Sequence, residues 1–200
     1  MSNIELYKSN HSLIKSSGRI PALLIPKTIE ESVVCLAQYP DEYYATLSPV
    51  NVVQCINSPV CTLGAFKRAT MSDTNGDTTA RAMVLIMLTD IVGRTNVGKT
   101  MNDYQLAETA KTIITNYGYL KIDDFKLCFD YARKGYYGKL YDCIDEMVII
   151  GWLEAYITDR FNQGEKISAL EHDKVKAIEV PAESLKSILN RNKDEKINRK

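Results

Sequence analysis

The segment Gly93-Arg94-Thr95-Asn96-Val97-Gly98-Lys99-Thr100 fits the phosphate-binding pattern G-x-x-x-x-G-K-S/T letter for letter. In that pattern glycines let backbone N–H groups curl around a β-phosphate, the lysine bridges the β- and γ-phosphates, and the hydroxyl ligates Mg²⁺. On that reading Gly98, Lys99 and Thr100 would bind a nucleotide. The chemistry also needs a preceding parallel strand, a helix beginning at the Gly-Lys-Thr itself, and a later strand ending in a metal-binding aspartate. Here the next helix is expected to begin at Asn102, the preceding run reads better as helix than as strand, and the one later apolar run, Met147–Ile150, leads into Gly151-Trp152. The favoured reading is an interhelical loop whose glycines permit tight turns.

A second constellation is different in kind. Residues 131–141, YARKGYYGKLY, interleave Tyr131, Tyr136, Tyr137 and Tyr141 with Arg133, Lys134 and Lys139, and Gly135 and Gly138 make an exposed turn. Aromatic faces stack on unpaired bases while cations meet phosphates, so these seven residues form a candidate nucleic-acid or partner-binding patch. The competing reading is a helix–turn–helix corner whose tyrosines plug the core with their hydroxyls outward. From the C-terminal end, Lys186, Arg191, Lys193, Lys196, Arg199 and Lys200 would add electrostatic reach, diluted by Asp194 and Glu195.

The remaining chemistry-bearing residues point to no reaction. Glu30-Glu31, Asp123-Asp124 and Asp142, Asp145 with Glu146 are acidic clusters, each in a first helical turn where the macrodipole favours negative charge, so capping is the expected role. Neither His11 nor His172 has a nucleophile–base arrangement around it. The five cysteines, Cys35, Cys55, Cys61, Cys128 and Cys143, lack paired CxxC spacing, and no zinc site assembles from them. No catalytic residue, metal or cofactor is expected, and no small-molecule substrate.

The elements that must position these residues read as helices. At 200 residues and 22.6 kDa the chain has the length of one ordinary domain with a trailing segment. Lys plus Arg and Asp plus Glu number 25 each, which excludes a uniformly basic nucleic-acid coat and an acidic solvating tail, and leaves only local patches. Twelve tyrosines stand against one tryptophan and four phenylalanines. Met1 to Lys8 lacks a charged region followed by an apolar one, and the longest apolar run, Ala82 to Leu88, falls far short of the roughly 20 residues a bilayer needs. A reduced, cytoplasmic protein that does not engage a membrane is expected.

Residues 1–27 read as a polar arm. Thr28 and Glu31 form a capping box for a helix that Pro40 stops, and Ser48-Pro49 and Ser58-Pro59 predict short helices over 49–57 and 59–69. Residues 71–78 read as a loop. Residues 80–92 fit a buried strand or a buried helix, and helix is favoured because Met, Ala and Leu outnumber β-branched residues. Asn102 with Gln105 caps the next helix, which Gly118 ends; Asp123 opens another, which Gly135 closes. A longer helix is predicted from Tyr141 to Asn162 with Gly164 as its stop and Trp152 in its apolar stripe. Short helices are expected over 168–176 and 182–190, before a charged tail. The predicted architecture is all-α: an irregular, single-domain helix bundle over 28–165, with a flexible N-terminal arm and short helices and tail over 166–200.

Tyr117 to Phe129, Lys134 to Asp145 and the Trp152-Leu153 pair together resemble a family of small phage, prophage and mobile-element proteins of gut Bacteroidales, over about residues 98–162. In that family the first glycine of the phosphate-loop match lies outside the shared pattern. The layout of two short helices before a longer one is also loosely similar to phage helicase loaders and replication accessory proteins. The family has no established activity; the layout similarity, with the Tyr131–Tyr141 corner, leads to the expectation of a non-enzymatic accessory role in DNA replication in the bacterial host cytoplasm, with a replication protein such as a helicase, or single-stranded DNA, as partner. Two alternatives stand beside it: a structural or protein-interaction module of a phage, and a nucleotide-binding protein using Lys99 and Thr100.

Overall fold

The computed structural model describes residues 25–71, 76–140 and 142–177. Among them every regular element is a helix, as the sequence predicts, and the only β-type pairings are two isolated bridges. The arm up to residue 24, the helix predicted over 182–190, the charged tail and Tyr141 lie outside the described residues. The chain divides into two compact units, Met1–Thr158 and Asp159–Lys200.

α1 (Ile29–Gln38) opens where Thr28 Oγ1 accepts from the Glu31 N–H at 3.2 Å; the Glu31 carboxylate reaches one residue further back than a capping box requires, to the Lys27 N–H at 2.7 Å. Pro40 ends α1 as predicted, but it also occupies the first turn of α2 (Pro40–Thr46), a helix the sequence reading did not anticipate. A proline excluded from a helix interior is pre-organised for a helix start, so one residue does both. α3 (Val52–Asn57) and α4 (Leu63–Thr70) are the two predicted short helices with different caps: Asn51 Oδ1 accepts from Gln54 N–H and Thr62 Oγ1 from Ala65 N–H. Ser58 is diverted into a local turn, accepting from the Val60 N–H at 3.1 Å.

The ambiguous apolar run is a helix, α5 (Gly76–Arg94), which begins inside the segment read as a loop and packs against α2, α4, α6 (Asp103–Asn116) and α7 (Ile122–Arg133). Its central position explains the ambiguity. Met83, Val84, Ile86, Met87, Leu88 and Ile91 are all buried, so apolar residues point in most directions and the helical period is erased. The Asn102–Gln105 capping box of α6 is complete, with both bonds at 2.9 Å.

Two backbone clasps hold the loops. Leu63 N–H and Gly64 N–H, among the donors a helix start leaves unpaired, donate to Leu120 O at 2.9 Å and Gly118 O at 2.7 Å. A Cβ on Gly64 would lie 3.0 Å from Gly118 O, so this approach requires glycine. On the other side Lys99 N–H donates to Asp142 O at 2.9 Å and Ile144 N–H to Lys99 O at 3.0 Å, pinning the 95–100 loop to the segment before α8 (Glu146–Ala177).

α8 differs from its prediction at both ends. It starts at Glu146 rather than Tyr141, because Asp142 sits at φ +57°, Cys143 is held in the second clasp, and Asp145 Oδ1 caps the Val148 N–H at 3.0 Å. It continues through Gly164 and absorbs the helix predicted over 168–176. A glycine inside a helix costs about 1 kcal/mol relative to alanine, too little to stop a helix whose neighbouring residues Gln163, Glu165 and Lys166 are good helix formers. Residues up to Thr158 belong to the first unit and those from Asp159 to the second.

Candidate functional site

The Tyr-Lys corner is built by the way α7 stops. Gly135 takes φ +80°, its N–H donates to Ala132 O at 2.9 Å, and Tyr136 N–H reaches back to Tyr131 O at 3.0 Å. These are the two bonds of a Schellman ending, a motif that brings together the side chains flanking it. The contact is present: the Tyr131 and Tyr136 rings lie 5.1 Å apart with a 33° tilt. Tyr137 then meets Tyr136 edge-on at 5.5 Å and 89°. Tyr137 is half-buried and packs against the core that holds Cys128, whose thiol is pushed well above its ordinary range by desolvation. Gly138 at φ +100° turns the chain again and leaves Lys139 exposed.

Tyr136, Tyr137 and Lys139 form one wall of an open groove of about 740 Å³; the other wall is the first half of α8, with Met147, Gly151 and Trp152. Trp152 is 6% exposed and belongs to the core as the sequence reading expected, yet its edge lines this groove. Met147 is 82% exposed, the most exposed large apolar side chain among the described residues. It also borders a smaller depression of about 300 Å³, lined by Tyr104 and by Glu108, Asp145 and Glu146. Thr112 Oγ1 donates to Glu146 Oε1 at 2.7 Å, which ties α6 to the start of α8 and fixes that acidic side.

Of the predicted patch, Tyr136, Tyr137 and Lys139 come together in the groove. Tyr131 supports it from behind through the ring contact. Arg133 is paired with Asp130 at 3.1 Å on α7, and Lys134 is the exposed cap residue; neither lines the groove. Tyr141 lies outside the described residues. The α8 half of the groove was missed, although Met147, Gly151 and Ala155 at spacing four mark one helix face.

The phosphate-loop match does not find its required setting. Gly93 and Arg94 are the last residues of α5, and Thr95 continues that ending, with its N–H on Val92 O at 3.2 Å. α6 starts at Asp103, not at Gly98, and the Lys99 N–H is spent on Asp142 O. Gly98, Lys99 and Thr100 therefore lie in an exposed loop with a helix, not a strand, before it.

The acidic pair Asp123-Asp124 is not a surface capping pair: both residues are buried at the start of α7. Asp124 does cap, accepting from the Lys121 N–H at 2.8 Å, and also accepts from Tyr156. Asp123 is 3% exposed with one carboxylate oxygen unpaired, and desolvation raises its pKa to about 6 against the pull of a Ser58 hydrogen bond. Lys121 pulls the other way only in part, its Nζ being bound to Ile56 O at 2.8 Å and Ser58 O at 2.6 Å. Four of the five cysteines are buried thiols and Cys143 is half-buried. Among the described residues no three His, Cys, Asp or Glu side chains gather as metal ligands, and no helix is long and apolar enough to cross a membrane.

No protein-family model matches the chain, and no curated protein or solved structure matches it.

Proposed function

We propose that this chain is a non-enzymatic accessory protein of phage or mobile-element DNA replication, acting in the host cytoplasm by holding a partner at the groove between the 136–140 turn and α8. The observation that carries the binding reading is the exposed Met147 beside Tyr136 and Lys139, an apolar anchor and a cation on one open surface. The replication setting, with a helicase or single-stranded DNA as partner, is supported by the loose similarity of the helix layout to phage helicase loaders and replication accessory proteins. The same exposed Met147 also favours the reading of a phage structural or interaction module, in which the partner alone differs. The test is a chain carrying Lys139→Ala and Met147→Asp together, assayed for oligodeoxythymidylate by fluorescence anisotropy and for a replicative helicase by co-sedimentation. Loss of about tenfold or more in either supports the reading; unchanged binding to both removes it.

A further inference from the structure

We infer that the occupant of this groove is an amphipathic helix of a partner protein, carrying acidic side chains at one end and basic side chains at the other, and not single-stranded DNA. The inference rests on the proposed function only in taking the groove as the binding surface; it goes further by fixing the partner's chemistry. Met147 stands between two depressions of opposite character. On one side lies Lys139, on the other Glu108, Asp145 and Glu146. A strand of DNA crossing Met147 would carry uniform negative charge toward Asp145, Glu146 and Glu108, the last already sharing its charge with Lys111 at 3.9 Å. A bipolar segment meets a complementary charge on both sides.

The aromatic geometry agrees. Stacking of successive bases needs a run of available ring faces, whereas of the three tyrosines only Tyr136, 65% exposed, offers one; Tyr131 packs against it and Tyr137 is half-buried. The α8 wall suits a helix. Met147, Gly151 and Ala155 form a row at spacing four in which Gly151 and Ala155 are exposed and small, so a ridge of a second helix fits between Met147 and the 136–140 turn. A partner apolar stripe at i, i+4 and i+7 would cover Met147 and the groove floor where the edge of Trp152 lies.

The test selects a displayed library of random peptides about four helical turns long, ~14 residues, on the full chain. The enriched peptide is then measured by fluorescence anisotropy against the wild type, Met147→Asp and Lys139→Glu, with oligodeoxythymidylate as competitor. Enrichment of an apolar stripe flanked by acid at one end and base at the other is expected, together with about tenfold weaker binding to Met147→Asp. Lys139→Glu should reject this peptide and recover affinity for a version whose acidic end is made basic. Met147 is solvent-exposed, so its replacement leaves the fold in place, and the charge-swap recovery is a gain that misfolding cannot mimic. No enrichment, enrichment without charge order, indifference to Met147→Asp, or displacement by the oligonucleotide overturns the inference. Displacement by DNA would do so while upholding the DNA arm of the proposed function; peptide binding without any helicase or DNA binding would do the reverse.

Discussion

The phenol of Tyr156 donates a 2.6 Å hydrogen bond to Oδ1 of Asp124, joining α8, near the end of its first-unit segment, to the first turn of α7 inside the core. Both side chains are fully buried, and the other oxygen of Asp124 accepts from the Lys121 N–H. A hydrogen bond to a charged acceptor is worth about 1.5–3 kcal/mol, mainly because removing the donor leaves the acceptor desolvated and short of a partner. Tyr156→Phe keeps the ring and deletes the donor, so it is expected to lower the unfolding free energy by about 1–3 kcal/mol in urea denaturation of the full chain. A change under about 0.5 kcal/mol would show that Asp124 finds another donor and that the pair is not what fastens α8 to α7.

Asp123, one residue earlier, acts in the opposite direction. Its carboxyl is raised from 3.8 to about 6, so the folded state holds the proton more tightly than the unfolded state. Between those values the folded chain binds more protons, and stability falls as pH rises through the window, with the full cost present above about 6. Asp123→Asn removes the ionisation and keeps the shape. At pH 7 the variant is expected to be about 1–3 kcal/mol more stable than the wild type, with the gain shrinking as pH is lowered through the window. Urea midpoints measured across that range decide it; a gain independent of pH would assign the effect to packing instead of charge.

The two aspartates show where sequence reading stops. Asn102 and Gln105 are three residues apart and cap one helix end, and Gly135 sits next to the residues it stops, so both were legible from local chemistry. The all-α class followed from the same kind of evidence. Tyr136, Tyr137 and Lys139 were found as a site because the pattern that marks them is contiguous. What was missed depends on distant partners. Asp123 reads as a first-turn acid until the turn at Ser58 is folded against it, and that burial has no signature in its neighbours. Pro40 was read for what it ends and not for what it begins. Gly164 has the residue type of a stop signal, but inside α8 it is only a local cost of about 1 kcal/mol within a long helix. Met147 acquires its meaning only because the 136–140 turn is folded back beside α8.

The Schellman ending of α7 gives a further check on the corner. Gly135 at φ +80° allows the bond from Tyr136 N–H to Tyr131 O, and that bond sets the ring contact behind the groove. An alanine at this φ costs about 1 kcal/mol through its Cβ. Gly135→Ala is expected to lower stability by about that amount and to change near-ultraviolet tyrosine circular dichroism, as the Tyr131–Tyr136 pair is disturbed. Tyr131→Leu, which keeps an apolar contact and the backbone turn, should alter the spectrum with a smaller loss of stability. Equal stability of Gly135→Ala and the wild type would mean the turn does not need its left-handed residue.

The exposed 95–100 loop supports a last expectation. A nucleotide needs several backbone N–H groups directed at one phosphate and a helix N-terminus behind them. Here the Lys99 N–H is bonded to Asp142 O, Gly93 is helical, and a Cβ at Gly98 would stand 2.8 Å from Asp142 Oδ1, so the space a phosphate would enter on that side is filled by Asp142, an anion. Titration of the full chain with Mg-ATP in a calorimeter is expected to give no saturable heat, and Lys99→Ala should leave thermal stability with and without Mg-ATP unchanged relative to the wild type. A nucleotide-dependent rise in melting temperature that Lys99→Ala abolishes would show that the clasp between Lys99 and Asp142 opens, and would restore the phosphate-binding role of Gly98, Lys99 and Thr100.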